Sequence, residues 1–315
     1  MGDEQNRGPR PPSSATFIVE PSTRHTHSFI LLHGLGSNGE KFGKELIESG
    51  ICADGRRLPE IFPGARFIFP TSKRRRSSAF GRAMLTQWFD IASLDDPSHR
   101  SHKQVKGLQE SSREILDLVN LEAAKVPREN ITLGGMSQGC AMGLVCLLAM
   151  ESPVGRFIGM SGWLPFRHEI DPILGLDEDG NAIDEHGGGQ DDDIFGTSPD
   201  EPFATSPNSS SEEQQKPVVK ALAHIRELLA FDSAESPCMD KSALTTPIFL
   251  GHGESDEKIK HSFGVSACRT LRSLGFQVTL RSYPGLGHWY KIPDEIDDIV
   301  AFVHQGASPP AAGES

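Results

Sequence analysis

The sequence predicts an α/β fold, with a mainly parallel central sheet flanked by helices and a long acidic insertion. Three observations predict it. Short apolar segments of β character recur along the chain, most of them continuous rather than alternating, as in strands buried on both faces. Helical patterns separate these segments, which is the rhythm of crossover connections between parallel strands. Residues 171–215 then break the rhythm with 13 Asp or Glu and no Lys or Arg.

Residues 1–15 are rich in Pro, Ser and charge and read as a disordered tail. The folded domain is expected over 16–305. Its first strand signal is Phe29-Ile-Leu-Leu32, which ends in the glycine-rich turn His33-Gly34-Leu35-Gly36. Arg66-Phe-Ile-Phe69 is the second. Lys73-Arg-Arg-Arg76 reads first as a solvated loop, and secondarily as a patch attracted to anionic lipid headgroups or to an acidic protein segment. Val105, Leu108, Ile115 and Val119 fall on one helical face. Ile131-Thr-Leu133 is a strand leading into Gln138 to Met150, which is apolar nearly all round and reads as a buried helix. Phe157-Ile158 is a short strand.

The stretch from about 172 to 246 reads as an insertion, largely disordered, because its low hydrophobicity and high charge cannot offset the entropy of ordering. Within it, Val218, Leu222, Ile225 and Leu229 recur at spacings of 4, 3 and 4. They mark one amphipathic helix near 218–230, docked on the body of the domain, with a lid or partner-binding element as the alternative. The strand Pro247 to Leu250, a helix containing His261, and the strand Gln277 to Leu280 follow. Pro293 to His304 opens with Pro, Asp and Glu, which suits a helix start. Residues 306–315 read as a second disordered tail.

Composition narrows the function. The 315 residues carry a net charge of -12, most of it in the acidic segment, so a basic nucleic-acid binder is disfavoured. Five cysteines, an odd number with no C-x-x-C pair, favour reduced intracellular thiols. Met1 to Ser14 has no apolar stretch, and the longest apolar run, 140–150, is too short to span a bilayer. A cytoplasmic protein is expected, with nuclear import through Lys73–Arg76 as a minor reading. His25/His27 and His99/His102 have metal-like spacing, but no cysteine or carboxylate set completes them, so no metal is expected.

The chemistry-bearing motif is Gly135-Met136-Ser137-Gln138-Gly139, a G-x-S-x-G in strand–turn–helix context. That arrangement is a nucleophile elbow, which lifts the serine hydroxyl above the sheet edge at a helix N-terminus. The serine needs a base, and the base an orienting acid, in the chain order Ser, acid, His. Asp256 and Glu254 both lie in the loop after the strand ending at Leu250. His288, in the glycine-flanked loop after the last strand, is the best placed base, ahead of His261 and His304. The oxyanion would be held by backbone N–H groups, one from the His33–Gly36 turn and one from Gln138, with the side chain of Gln138 not needed.

Together these pieces resemble the acyl-protein thioesterase/carboxylesterase family of α/β-hydrolases. The matching motifs are Leu31-Leu-His-Gly-Leu-Gly36, Trp88-Phe-Asp-Ile91, Leu133-Gly-Gly-Met-Ser-Gln-Gly139, Ser161-Gly-Trp-Leu-Pro165, His252-Gly-Glu-Ser-Asp256 and Gly287-His288. They cover about 28–170 and 245–304. The chain departs from the pattern at Glu254, Glu257, Trp289 and Tyr290 and in its insertion. The resemblance implies thioester or ester hydrolysis by a Ser137, Asp256 and His288 triad, with oxyanion N–H groups from Leu35 and Gln138 and no metal or cofactor. Its substrates would be S-acylated proteins, with lysophospholipids or small carboxylic esters as the alternative. Trp88 and Trp163 are expected either to line the acyl channel or to pack in the core. A binding protein on the same scaffold, without catalysis, is the distant alternative.

Overall fold

The structure, a computed structural model, describes residues 16–177, 210–231 and 244–305. The two tails and most of the acidic stretch lie outside the described residues. The strands are β1 (Phe17–Val19), β2 (His27–Leu32), β3 (Ala65–Phe69), β4 (Arg74–Arg76), β5 (Met84–Thr86), β6 (Ile131–Met136), β7 (Arg156–Met160), β8 (Ile248–Gly253) and β9 (Val278–Tyr283). The helices are α1 (Gly39–Ser49), α2 (Leu58–Ile61), α3 (Val105–Ala123), α4 (Gln138–Ala149), α5 (Arg167–Ile173), α6 (Ser210–Leu228), α7 (His261–Ser273) and α8 (Asp294–Gln305).

Among the described residues the central sheet has seven strands, in the order β1-β3-β2-β6-β7-β8-β9. β1 pairs antiparallel with β3, and every other pairing is parallel. This is the α/β-hydrolase architecture the sequence predicts. The continuous apolar strands have the two-sided burial expected of them. Along β2, Ile30 and Leu32 join one core with α3, α4, α6 and α7, while Phe29 and Leu31 join the opposite core with α1 and α8. The register sets Leu32 beside Gly135 and Met160 beside Gly251, so the loops after β2, β6, β7, β8 and β9 share one edge of the sheet. Ligands bind at that edge in open parallel sheets.

Two predicted features are refined. The helix expected near 218–230 begins earlier, at Ser210, and ends at Leu228. Its Ala221, Leu222, Ile225 and Leu229 are buried in the main core, and Arg226 donates to Ala149 O at 2.7 Å. It is docked on the body.

The Lys73–Arg76 loop reading is corrected, because Arg74–Arg76 forms β4, paired antiparallel with β5. A run of like charges has no apolar alternation, so nothing in the pattern marks a strand. What holds it is α3: Arg75 binds Glu110 at 2.7 Å, and Lys73 pairs with Glu114.

Candidate active site

Each polar group of the site sits in a loop leaving the same sheet edge. At the end of β6 the chain turns sharply into α4 through Ser137, whose φ of 56° and ψ of -118° are strained for a residue with a Cβ. The flanking glycines make that turn fit. A Cβ on Gly139 would lie 2.1 Å from Leu32 O, and one on Gly135 would lie 2.6 Å from the same atom. The turn is tied down by Ser137 N–H donating to Met160 O at 2.8 Å.

The loop after β9 carries His288 over this turn. It crosses Gly253, where a Cβ would strike Leu286 O at 2.3 Å. His288 Nε2 lies 2.8 Å from Ser137 Oγ, and His288 Nδ1 lies 2.7 Å from Asp256 Oδ2. The carboxylate only accepts, so Nδ1 carries the proton and Nε2 is left to take the serine proton. Asp256 is 7% exposed, and its Oδ1 accepts from the N–H groups of Lys258 and Ile259, each at 2.9 Å. Burial alone would raise its pKa. The contacts from His252 and His288 and the Ile259 N–H outweigh burial and hold the carboxyl well below the usual range.

The structure thus brings Ser137, Asp256 and His288 together and leaves the other candidates out. Glu254 is exposed. His261 binds Ser282 Oγ at 2.7 Å, and His304 packs against Phe62 with the two rings tilted.

The turn after β2 lies against Ser137, since a Cβ on Gly34 would be 3.5 Å from Ser137 Cβ. Its carbonyls are pinned. His33 Nδ1–H donates to Gly34 O at 2.8 Å, while His33 Nε2 accepts from Ser72 N–H at 3.0 Å. Burial pushes the His33 pKa down to about 4, so the ring stays neutral in this pattern. Holding Gly34 O fixes the plane of the Gly34–Leu35 peptide and with it the Leu35 N–H. Gln138 N–H is the first of α4 and has no acceptor within the helix. Among the described residues, neither N–H has a hydrogen-bond acceptor assigned, which leaves both able to receive an oxyanion.

The structure adds to the expectations for Gln138 and the two tryptophans. The Gln138 side chain does have a task. It accepts from Trp88 N–H at 3.0 Å and donates to Phe89 O at 2.8 Å, stitching the Trp88-Phe89 segment to α4. Trp88 packs in the core, one of the two places expected for it; it is fully buried, and its indole N–H donates to His33 O at 2.8 Å. Trp163 lines a cavity of about 700 Å³ whose wall includes Leu164, Phe166, Pro172, Leu176 and Phe263. The segment bearing Trp163 abuts the turn, with a Cβ on Gly162 falling 3.4 Å from Ser137 O. Sequence reasoning passed over His252. It is buried beside Asp256, and its signal was its place at the end of a strand, as the first residue of the His252-Gly-Glu-Ser-Asp256 motif.

The sequence pattern of the phospholipase/carboxylesterase family matches residues 13–187, more than half of the chain. Acyl-protein thioesterase 1 of Gibberella zeae is 23% identical over 94% of this chain and 97% of its own length. That of Neurospora crassa is 23% identical over 93% of this chain and 91% of its own. Among solved structures, Zea mays acyl-protein thioesterase 2 superposes with a TM-score of 0.62 at 24% identity, covering 93% of this chain and 99% of that one. Esterase PE8 gives 0.58 at 17% identity, covering 93% and 99%.

Proposed function

Because the chain belongs to the phospholipase/carboxylesterase family of α/β-hydrolases, we propose that it is a serine hydrolase of thioesters or carboxylic esters. The observation that carries this reading is the unbroken relay from Ser137 Oγ through His288 to Asp256, at 2.8 and 2.7 Å. Ser137 Oγ attacks the acyl carbonyl as His288 Nε2 takes its proton. The N–H groups of Leu35 and Gln138 hold the oxyanion. Collapse breaks the bond to the thiolate or alkoxide, which leaves with the proton from His288. Water, deprotonated by His288, then attacks the acyl-enzyme and releases the carboxylic acid. Asp256 keeps the imidazole in its Nδ1–H form and stabilises the cation.

The favoured substrate is a long-chain S-acyl group on a protein. The names of its relatives and the apolar wall of the cavity beside the nucleophile turn support this. The polar wall of the same cavity, with Asp96, Ser98 and the Arg167–Asp171 pair, supports the second reading, a carboxylesterase or lysophospholipase of smaller esters.

Anionic membrane surface is the proposed partner of the β4–β5 hairpin. There Phe80 and Met84 are 47% and 44% exposed beside exposed Arg74, Arg76 and Arg82. Cosedimentation with vesicles containing phosphatidylserine should fall for Phe80→Ser/Met84→Ser and with added salt. Equal cosedimentation of wild type and variant would refute that contact. Among the described residues no helix is long and apolar enough to cross a membrane.

The test of the whole reading is turnover of an S-palmitoyl peptide, a lysophospholipid and a short-chain aryl ester. Ser137→Ala should lose roughly 10⁴-fold or more on whichever is cleaved. Preference for the palmitoyl peptide supports the deacylase, and preference for either other ester supports the second reading. No turnover together with no labelling by a fluorophosphonate would leave a binding protein.

A further inference from the structure

We infer that His252 is a positioning residue for the acid of the relay, holding the Asp256 carboxylate at the angle from which it orients His288. The inference rests on the hydrolase reading above and deepens it.

His252 is 1% exposed, at the end of β8. Its Nε2 faces two acceptors, Ile259 O at 2.9 Å and Asp256 Oδ2 at 3.3 Å. Neither can donate, so Nε2 carries a proton, whatever the charge on the ring. Ile259 N–H in turn donates to Asp256 Oδ1 at 2.9 Å. The result is a closed circuit: the histidine grips the loop through Ile259, the loop grips one carboxylate oxygen, and the histidine faces the other. A carboxylate held at both oxygens cannot rotate away when His288 becomes a cation during attack.

The fold makes room for this ring. On α7, a Cβ at Gly264 would lie 2.5 Å from His252 Nδ1, and the edge of His261 meets the ring at a centroid distance of 5.6 Å. The titratable groups around the circuit are Asp256 and His288 themselves, His261 from α7, Glu254 and Glu257 in the acid loop, and Glu295 of α8 packed on Gly251. The relay as described does not use His252 as a base or nucleophile, because Asp256 stands between it and His288.

The consequence has a sign. His252 draws on the same Oδ2 that binds His288. Removing the donor leaves the carboxylate charge less compensated, so it favours His288 in its cationic form. The acid limb of the kcat/KM profile therefore moves to higher pH.

The experiment compares wild type with His252→Leu, His252→Asn and His252→Gln on an activated ester, with Ser137→Ala as the blank. Each protein is titrated with a fluorophosphonate, so that only folded, reactive sites are counted. Leu has no donor, and Asn is too short to reach the carboxylate. Both should lower kcat per labelled site by about tenfold or more and move the acid limb up by about half a pH unit or more. Gln, which can place an N–H near the Nε2 position, should recover most of the rate and bring the limb back toward wild type. A lower rate per labelled site with an unmoved limb, or a Gln variant no better than Asn, would overturn the assignment. Should Leu fail to fold, the Asn and Gln pair decides. Failure of the hydrolase reading looks different, since wild type would then neither turn over nor label.

Discussion

Glu295→Gln should stabilise the protein increasingly as pH rises. The Glu295 side chain lies in the interior on α8, with Oε2 accepting Lys291 N–H at 2.9 Å and Oε1 without a partner among the described residues. Burial, with the charge of Asp298 adding to it, pushes the pKa from 4.5 up to about 8, while the Lys291 bond opposes. The group is raised in the fold, so its contribution is fully present below the unfolded value and is lost as pH climbs through the folded value. Each pH unit in that window removes up to about 1.4 kcal/mol. Between pH 4.5 and 7 the loss is on the order of 3 kcal/mol, levelling off above about 8. Glutamine has the shape of the neutral acid and cannot ionise. Urea unfolding of both proteins at pH 5, 7 and 8.5 should give a difference under about 1 kcal/mol at the lowest pH, a gain for Gln of about 3 kcal/mol at pH 7 and one of about 4–5 kcal/mol at pH 8.5. A difference that stays constant across pH would refute the buried neutral carboxyl.

Other outcomes follow from packing around the site. Gly139→Ala drives a Cβ to within 2.1 Å of Leu32 O, so it should lower stability by about 3 kcal/mol, measured in urea. Trp88→Phe removes the donor to His33 O and should cost about 1–3 kcal/mol in thermal or urea unfolding. It should also lower kcat more than it raises KM, because it frees the turn that carries the Leu35 N–H. Leu222→Ala and Ile225→Ala, on the buried face of α6, should each destabilise the whole domain by about 2–5 kcal/mol. A calorimetric scan in which either variant keeps the wild-type Tm would show that α6 folds apart from the body.

The sheet was legible because its strands are buried on both faces and so appear as unbroken apolar runs. Ile131–Leu133 and Pro247–Leu250 stand out for that reason, and the glycines around Ser137 mark the turn directly. β1 and the β4–β5 hairpin were not legible. β1 is a three-residue edge strand with intermediate burial, and β4 is made of arginines whose partners, Glu110 and Met84 O, lie on other elements. The candidate site divides in the same way. Ser137 and His288 sit in glycine-flanked loops after apolar strands. Asp256 and Glu254 share one loop, and the resemblance rather than the local pattern favoured Asp256; the fold sets that residue against His288 and leaves Glu254 in solvent. The uses of Gln138 and Trp88 depend on partners 50 and 55 residues away, and no local pattern encodes such pairings.

Those long-range partners share a physical logic. The two candidate oxyanion donors are backbone groups, and a backbone N–H can be aimed only by restraining the peptide that carries it. On the Leu35 side the restraint is the neutral His33 bonded to Gly34 O, with Trp88 bonded to His33 O. On the Gln138 side the residue that would offer its N–H also binds Trp88 N–H and Phe89 O through its side chain. Trp88 therefore joins the two donors through one buried segment, anchored further by Ser111 Oγ on Trp88 O at 2.7 Å. A substitution there should disturb both donors at once, because neither Ser137–His288 nor His288–Asp256 bonds to that segment. On the proposed hydrolase reading, such a variant should still be labelled by a fluorophosphonate, more slowly, and should lose turnover out of proportion to its loss of stability.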